Sequence, residues 1–182
     1  MAHGLEEFCA GVRKALKDDP GPGGRETVRA MLERLLANEA FVKHYCDGMS
    51  YGAHELYRDP ELDFVVLSHV YSKARKSPPH DHGESWAVYG QARGRTDMTV
   101  WARRDGDGWD GPAEIEVARQ YRLVPPTAGV FQPGEIHQID YTDDACFVRV
   151  TGTDLSSIRT RRFVPDQHKV VSGHGMGPGP EM

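Results

Sequence analysis

Cysteine is scarce in this chain: Cys9, Cys46 and Cys146 are the only three among 182 residues. They are odd in number, widely spaced and never in a C-x-x-C pair. A disulfide framework is therefore not expected, each cysteine is read as a small buried apolar residue, and a reducing cytoplasm is the expected setting. Long apolar runs are also missing. None approaches the ~20 residues that a membrane span needs, so no membrane partner is expected. The start, Met1-Ala2-His3-Gly4-Leu5-Glu6-Glu7, lacks a basic stretch followed by an apolar one, which is the pattern of a secretory signal. There is no long basic block, and the formal charge is -5, which argues against nucleic acid as a partner. No internal repeat is found.

What is present fits one soluble globular domain: 38% of residues are hydrophobic and 27% charged. Residues 1–50 read as helices. Leu5, Phe8, Cys9, Val12 and Leu16 recur at three- and four-residue steps, as do Val28, Met31, Leu32, Leu35 and Leu36. Phe41, Val42 and Tyr45 suggest a short third helix. Between the first two lies Asp18-Asp19-Pro20-Gly21-Pro22-Gly23-Gly24. Without a following Gly-Lys-Ser/Thr it reads as a linker and not as a phosphate loop. From 51 to 166 the texture is that of many short strands rich in β-branched and aromatic residues, separated by Pro-, Gly- and Asp-rich turns. The expected fold is an all-β core, a sandwich or barrel. Residues 167–182 read as a disordered Gly/Pro tail, with His174 carrying no role.

The most informative stretch is Pro78-Pro79-His80-Asp81-His82-Gly83-Glu84-Ser85-Trp86. In a strand, His80 and His82 share a face because side chains alternate. Two imidazoles on one face can share an ion at about 2.0–2.1 Å. Far along the chain, His137 comes after the Pro133-Gly134 turn at the start of another strand, which a closed barrel can bring opposite. His80, His82 and His137 are the expected metal ligands.

These two segments resemble the paired motifs of the cupin superfamily, and residues 54–165 are similar to its cysteine dioxygenase (thiol dioxygenase) branch. His80-Asp81-His82 and Gly134-Glu135-Ile136-His137 match the branch's His-Asp-His and Gly-x-x-His, and Gly94 stands where the first motif closes. The resemblance implies a cupin double-stranded β-helix, or jelly-roll barrel, behind the N-terminal helices, with a three-histidine Fe(II) site. Trp86 and Ala87 occupy the places of the general cupin glutamate, which favours three histidines over three plus a carboxylate. Ala87 also stands where some members carry a crosslinked cysteine. His54 aligns with the arginine that holds the substrate carboxylate. Phe147, Arg149 and Thr151 align with a Ser-His-Tyr relay. These departures argue against cysteine itself as substrate.

Other residues are candidates for the cavity. Glu84 shares parity with the two histidines and is read as fourth ligand, acid/base or hydrogen-bond acceptor for an imidazole. Asp81 is expected to point away from the metal, as a hydrogen-bonding residue on the barrel exterior. Tyr141 shares parity with His137. Arg149, if inward, needs an anion: a substrate carboxylate, Glu84 or another acid. Tyr89 and Gln91 are wall candidates. Arg161, in Arg159-Thr160-Arg161-Arg162, is either a substrate arginine or part of a basic edge strand. The function expected is a non-haem Fe(II) dioxygenase adding O2 to a small organic acid, with a thiol the first class to try. The alternatives are a lyase, isomerase or hydrolase using Zn, Ni or Mn as Lewis acid, or a small-molecule-binding cupin without catalysis.

Overall fold

The computed structural model describes residues 4–175. Helix α1 (Leu5–Asp18) buries Leu5, Phe8, Cys9, Val12 and Leu16 on one face, as their spacing requires. Helix α2 (Pro22–Leu36) begins inside the stretch expected as a linker. Pro22 lies in its first turn, where an N–H has no intrahelical acceptor and a missing one costs nothing. Asn38 caps α3 (Glu39–Val42), its side-chain oxygen accepting from the Ala40 and Phe41 N–H groups. A π-helical turn, Lys43–Asp47, comes next. No helix among the described residues is long and apolar enough to cross a membrane.

The described residues then form twelve strands: β1 (Gly52–Arg58), β2 (Val65–Tyr71), β3 (Arg75–Lys76), β4 (Ala87–Arg93), β5 (Thr96–Arg103), β6 (Gly111–Pro112), β7 (Ile115–Leu123), β8 (Ala128–Phe131), β9 (Ile136–Tyr141), β10 (Ala145–Thr151), β11 (Arg159–Val164) and β12 (Lys169–His174). One sheet runs β1-β2-β10-β4-β8; a second set runs β3-β9-β5-β7 and a third β11-β12-β6. His80 bridges the last two, pairing with His137 on β9 and with Arg162 on β11. Tyr89 and Phe147 of the first sheet pack with Met98, Val100, Ile139 and Tyr141 of the second. One core therefore lies between the sheets, and the molecule is the jelly-roll barrel behind an N-terminal helical segment that the resemblance implies.

Alternation along β2 assigns its residues to two environments. Val66 and Val70, with Val88 on β4 and Val148 and Val150 on β10, face outward and are covered by α1 and α2. Helix α2 comes so close to β4 that a Cβ at Gly90 would collide with Leu32 and Leu36. Leu67, His69 and Tyr71 face the barrel interior, as do Phe147, Arg149 and Thr151 opposite them on β10. The helices thus seal one face of the sheet, and the other is left to build a cavity.

Two expectations are corrected. Cys46 and Cys146 form a disulfide, Cα–Cα 6.0 Å, tying the π-helical turn to β10. The sequence separation of 100 residues concealed the pair, because only the packing of helix on sheet brings the two together. The tail expected to be disordered from 167 is ordered to His174: β12 pairs with β11 and β6, and Val170 is fully buried. Lys169 to Val171 supply the strand propensity that the neighbouring glycines obscured. Residues 176–182 of that expected tail lie outside the described residues. Cys9 remains a free thiol, pushed up to about 12 chiefly by burial. Alkylation in denaturant without reductant should therefore modify one cysteine per chain, and all three after reduction; mass spectrometry reads the difference.

Candidate metal centre

His80 and His137 exchange both backbone hydrogen bonds: His80 N–H donates to His137 O at 2.9 Å, and His137 N–H to His80 O at 2.8 Å. Such a pair holds two antiparallel residues side by side with their side chains on one face. Strand alternation does not place His82, because the bridged residues end at His80. Asp81 turns the chain instead. Its Oδ1 accepts from Gly83 N at 3.0 Å and from Arg161 N at 2.9 Å, while its Oδ2 accepts from the Arg161 guanidinium. Gly83 has φ of 56°, and a Cβ there would strike the Arg159 carbonyl. Gly134 N–H donates to Gly83 O at 2.8 Å, locking the two histidine segments together.

The outcome is three converging imidazoles. Ring centroids are 4.5 Å apart for His80–His137, 4.7 Å for His82–His137 and 5.5 Å for His80–His82. One nitrogen from each lies within 4.8 Å of the others. Nitrogens about 2.0–2.1 Å from a common ion stand at most ~4.2 Å apart, so small ring rotations suffice to close the set. His80 Nδ1 lies 3.0 Å from Pro78 O, and His137 Nδ1 3.2 Å from Glu135 O. Donation to those carbonyls puts the hydrogen on Nδ1 and leaves the Nε2 lone pair free, the tautomer a metal requires. His137 Nε2 is buried and has no hydrogen-bond partner. An orphaned buried acceptor flanked by two imidazoles fits a cation, and these residues fit a three-nitrogen metal site. Burial lowers the pKa of His80, and those of His82 and His137 well below the ordinary imidazole value, keeping the rings neutral.

A cavity of about 310 Å³ opens beside His80 and His82. Its wall includes His69, Tyr71, Arg149, Thr151 and Thr160, and the apolar Val65, Leu67 and Leu155. Arg149 is among the residues that line it. Tyr89 is buried behind, its hydroxyl 3.2 Å from His82 Nε2 and its ring 6.0 Å from the Arg149 guanidinium carbon. Burial raises the Tyr89 pKa, so the phenol stays protonated.

The other candidates are placed elsewhere. Glu84 is exposed, because the turn at Gly83 breaks the parity that pointed it inward. His54 pairs with Ser68, on the face away from the cavity, and its Nε2 lies 2.8 Å from Ser50 O. Gln91 is fully buried and internally satisfied, donating to Arg93 O and accepting from Thr96 Oγ1. Tyr141 packs behind the wall, stacked on Tyr71 at 4.9 Å. Arg161 holds Asp81 and lies between Trp109 and Phe163 rather than over the cavity. Asp81 is buried with its carboxylate bound, rather than on the barrel exterior. His69 and Thr160 are cavity residues that the sequence pattern did not single out. The signal for His69 is its parity with Leu67 and Tyr71 on a strand directly opposite Phe147 and Arg149.

No protein-family model and no curated protein matches this sequence. Solved structures do. KdgF from Halomonas sp. is 14% identical at a TM-score of 0.42, covering 54% of this chain and 74% of that one. The cupin domain of Schizosaccharomyces pombe Cnp3 is 11% identical at 0.44, covering 59% and 66%. An RmlC-like cupin from Desulfovibrio desulfuricans is 13% identical at 0.40, covering 59% and 85%. These similarities span part of the chain, and the chemistry of the site rests on its own geometry.

Two outcomes test this geometry. Arg161→Ala strands a fully buried carboxylate and should destabilise the protein by roughly 3 kcal/mol in chemical denaturation, with weaker metal binding as the His82 turn loosens. Burial lowers the pKa of four histidines: His69, His80, His82 and His137. The unfolded chain takes up protons at these rings below about pH 6.5 and the fold resists doing so. Stability of the metal-free protein should therefore be full above that pH and fall as pH drops through it, which melting temperature against pH will read.

Proposed function

We propose that this protein is a metal-dependent cupin-type enzyme, a non-haem Fe(II) dioxygenase acting on a small organic acid, with a short thiol acid the first substrate to try. The observation that carries the reading is the buried three-imidazole set, with its unpartnered His137 Nε2, two of whose members, His80 and His82, line a cavity sized for a small molecule. Bound by three neutral imidazoles, Fe(II) would keep its full charge and open positions for an anionic donor and O2, and would supply the redox chemistry.

The chain supplies the remainder. The carbonyls of Pro78 and Glu135 hold two rings in their metal-binding tautomers. Tyr89 offers a protonated phenol beside His82. Tyr71 and Phe147, packed about His69, exclude water from the inner wall. The exposed position of Glu84 removes a fourth-ligand carboxylate, which supports three histidines alone. A neutral three-histidine set also suits Zn, Ni or Mn. A Lewis-acid lyase, isomerase or hydrolase is the second reading, favoured by Phe147, Arg149 and Thr151 in the places of the relay residues.

Metal analysis of unsupplemented protein, followed by oxygen-electrode assays with Fe(II), separates these. Uptake is expected with at least one of cysteine, cysteamine, 3-mercaptopropionate and 2-mercaptosuccinate. Stoichiometric metal without uptake on any of them rejects the oxygenase in favour of the Lewis-acid reading.

A further inference from the structure

Three buried polar atoms in the cavity residues have no hydrogen-bond partner: His69 Nε2, Arg149 Nε and Thr160 Oγ1. His69 and Thr160 are 6% and 4% exposed, so solvent does not satisfy them. Orphaned groups of this kind cost stability unless something else pairs with them. The acids of the lining are already engaged. Glu55 and Asp154 both accept from Arg58, at 2.7 and 2.9 Å, and Asp81 is held by Arg161. Among the described residues no carboxylate lies within ion-pair distance of Arg149.

The register brings these groups together. Arg149 pairs with Leu67, and His69 is the next inward residue on β2, so guanidinium and imidazole are diagonal neighbours on one face. Thr160 on β11 contributes from outside that sheet. His69 Nδ1 lies 3.1 Å from the Tyr71 hydroxyl. With Tyr71 donating to Nδ1, Nε2 carries the hydrogen and presents a second donor beside the cation.

Resting on the metal-centre reading, we propose that Arg149, His69 and Thr160 form a carboxylate clamp, and that the cavity takes short acids whose metal-directed donor sits on the carbon α or β to the carboxylate. The length limit comes from Tyr89. Its ring lies under the Arg149 guanidinium and its hydroxyl touches His82, so clamp and metal ligand are separated by one side chain. Leu67, Val65 and Leu155 accept only a small apolar body.

The test is equilibrium binding, independent of turnover. On the metal-free protein, ligand-observed NMR compares propionate with propionamide. Propionate should bind at least tenfold more tightly, and Arg149→Gln should weaken it roughly 30-fold while changing the amide less than threefold. His69→Phe, which keeps the stacking on Phe147, should weaken propionate by a smaller factor. Arg149→Gln should still take up metal stoichiometrically, which shows the fold is intact. On Zn(II)-loaded protein, 2-mercaptoacetate and 3-mercaptopropionate should bind at least tenfold more tightly than 5-mercaptopentanoate. Equal affinity for propionate and propionamide, or equal loss of both in Arg149→Gln, overturns the clamp. Equal affinity across the thiol series overturns the length limit. Failure of the oxygen assay with carboxylate discrimination intact would remove the dioxygenase reading and leave the clamp standing.

Discussion

The two backbone hydrogen bonds between His80 and His137 organise the rest of the site. They join residues 57 positions apart, place two imidazoles side by side, and stitch the β3-β9-β5-β7 strands to β11 through the second bridge of His80 with Arg162. The contact that completes this part of the barrel is thus also the one that assembles two thirds of the candidate ligand set. A distortion that opened the barrel at this seam would separate the ligands, whatever the state of the remaining strands.

The third ligand depends on a different constraint. His82 lies beyond the last bridged residue and has no strand to orient it. Asp81, fully buried, accepts two backbone N–H groups and the Arg161 guanidinium, and so bends the chain by hydrogen bonding rather than by ladder pairing. A carboxylate so engaged is stable without solvent, whereas the same group unpaired would carry a large desolvation cost. The left-handed Gly83 completes the bend and sends Glu84 outward. Asp81 and Gly83 are therefore positioning residues that hold His82 toward the cluster and keep a carboxylate out of it.

Helices and cavity occupy opposite faces of one sheet, and this division lets the interior stay polar. Val66, Val70, Val88, Val148 and Val150 bury against α1 and α2, providing apolar burial on the outer face. The inner face of the same strands can then carry His69, Arg149 and Thr151. Stability and site are built from alternate residues of the same strands, which is why exposing one inner-face polar group to a ligand need not disturb the helical packing.

Local chemistry is enough to read the broad architecture from sequence. Helical spacing locates α1 and α2, β-branched runs locate most of the strands, and His80, His82 and His137 stand out because an H-x-H pair, weak by itself, is combined with a distant turn-then-His in an all-β pattern. Features that depend on long-range neighbours escape such a reading. Parity misassigns Glu84, because a bend held by Arg161, 80 positions away from Asp81, overrides alternation. Gln91, His54, Tyr141 and Arg161 have the chemistry of site residues, yet register and partners give them structural roles. The Cys46–Cys146 bridge, the pairing of β12 and the placement of His69 beside Arg149 all depend on which strands become neighbours. Sequence alone determined which side chains could bind a metal. Only the tertiary structure decided which of them meet, because a strand's partners and register are set by the packing of the whole barrel.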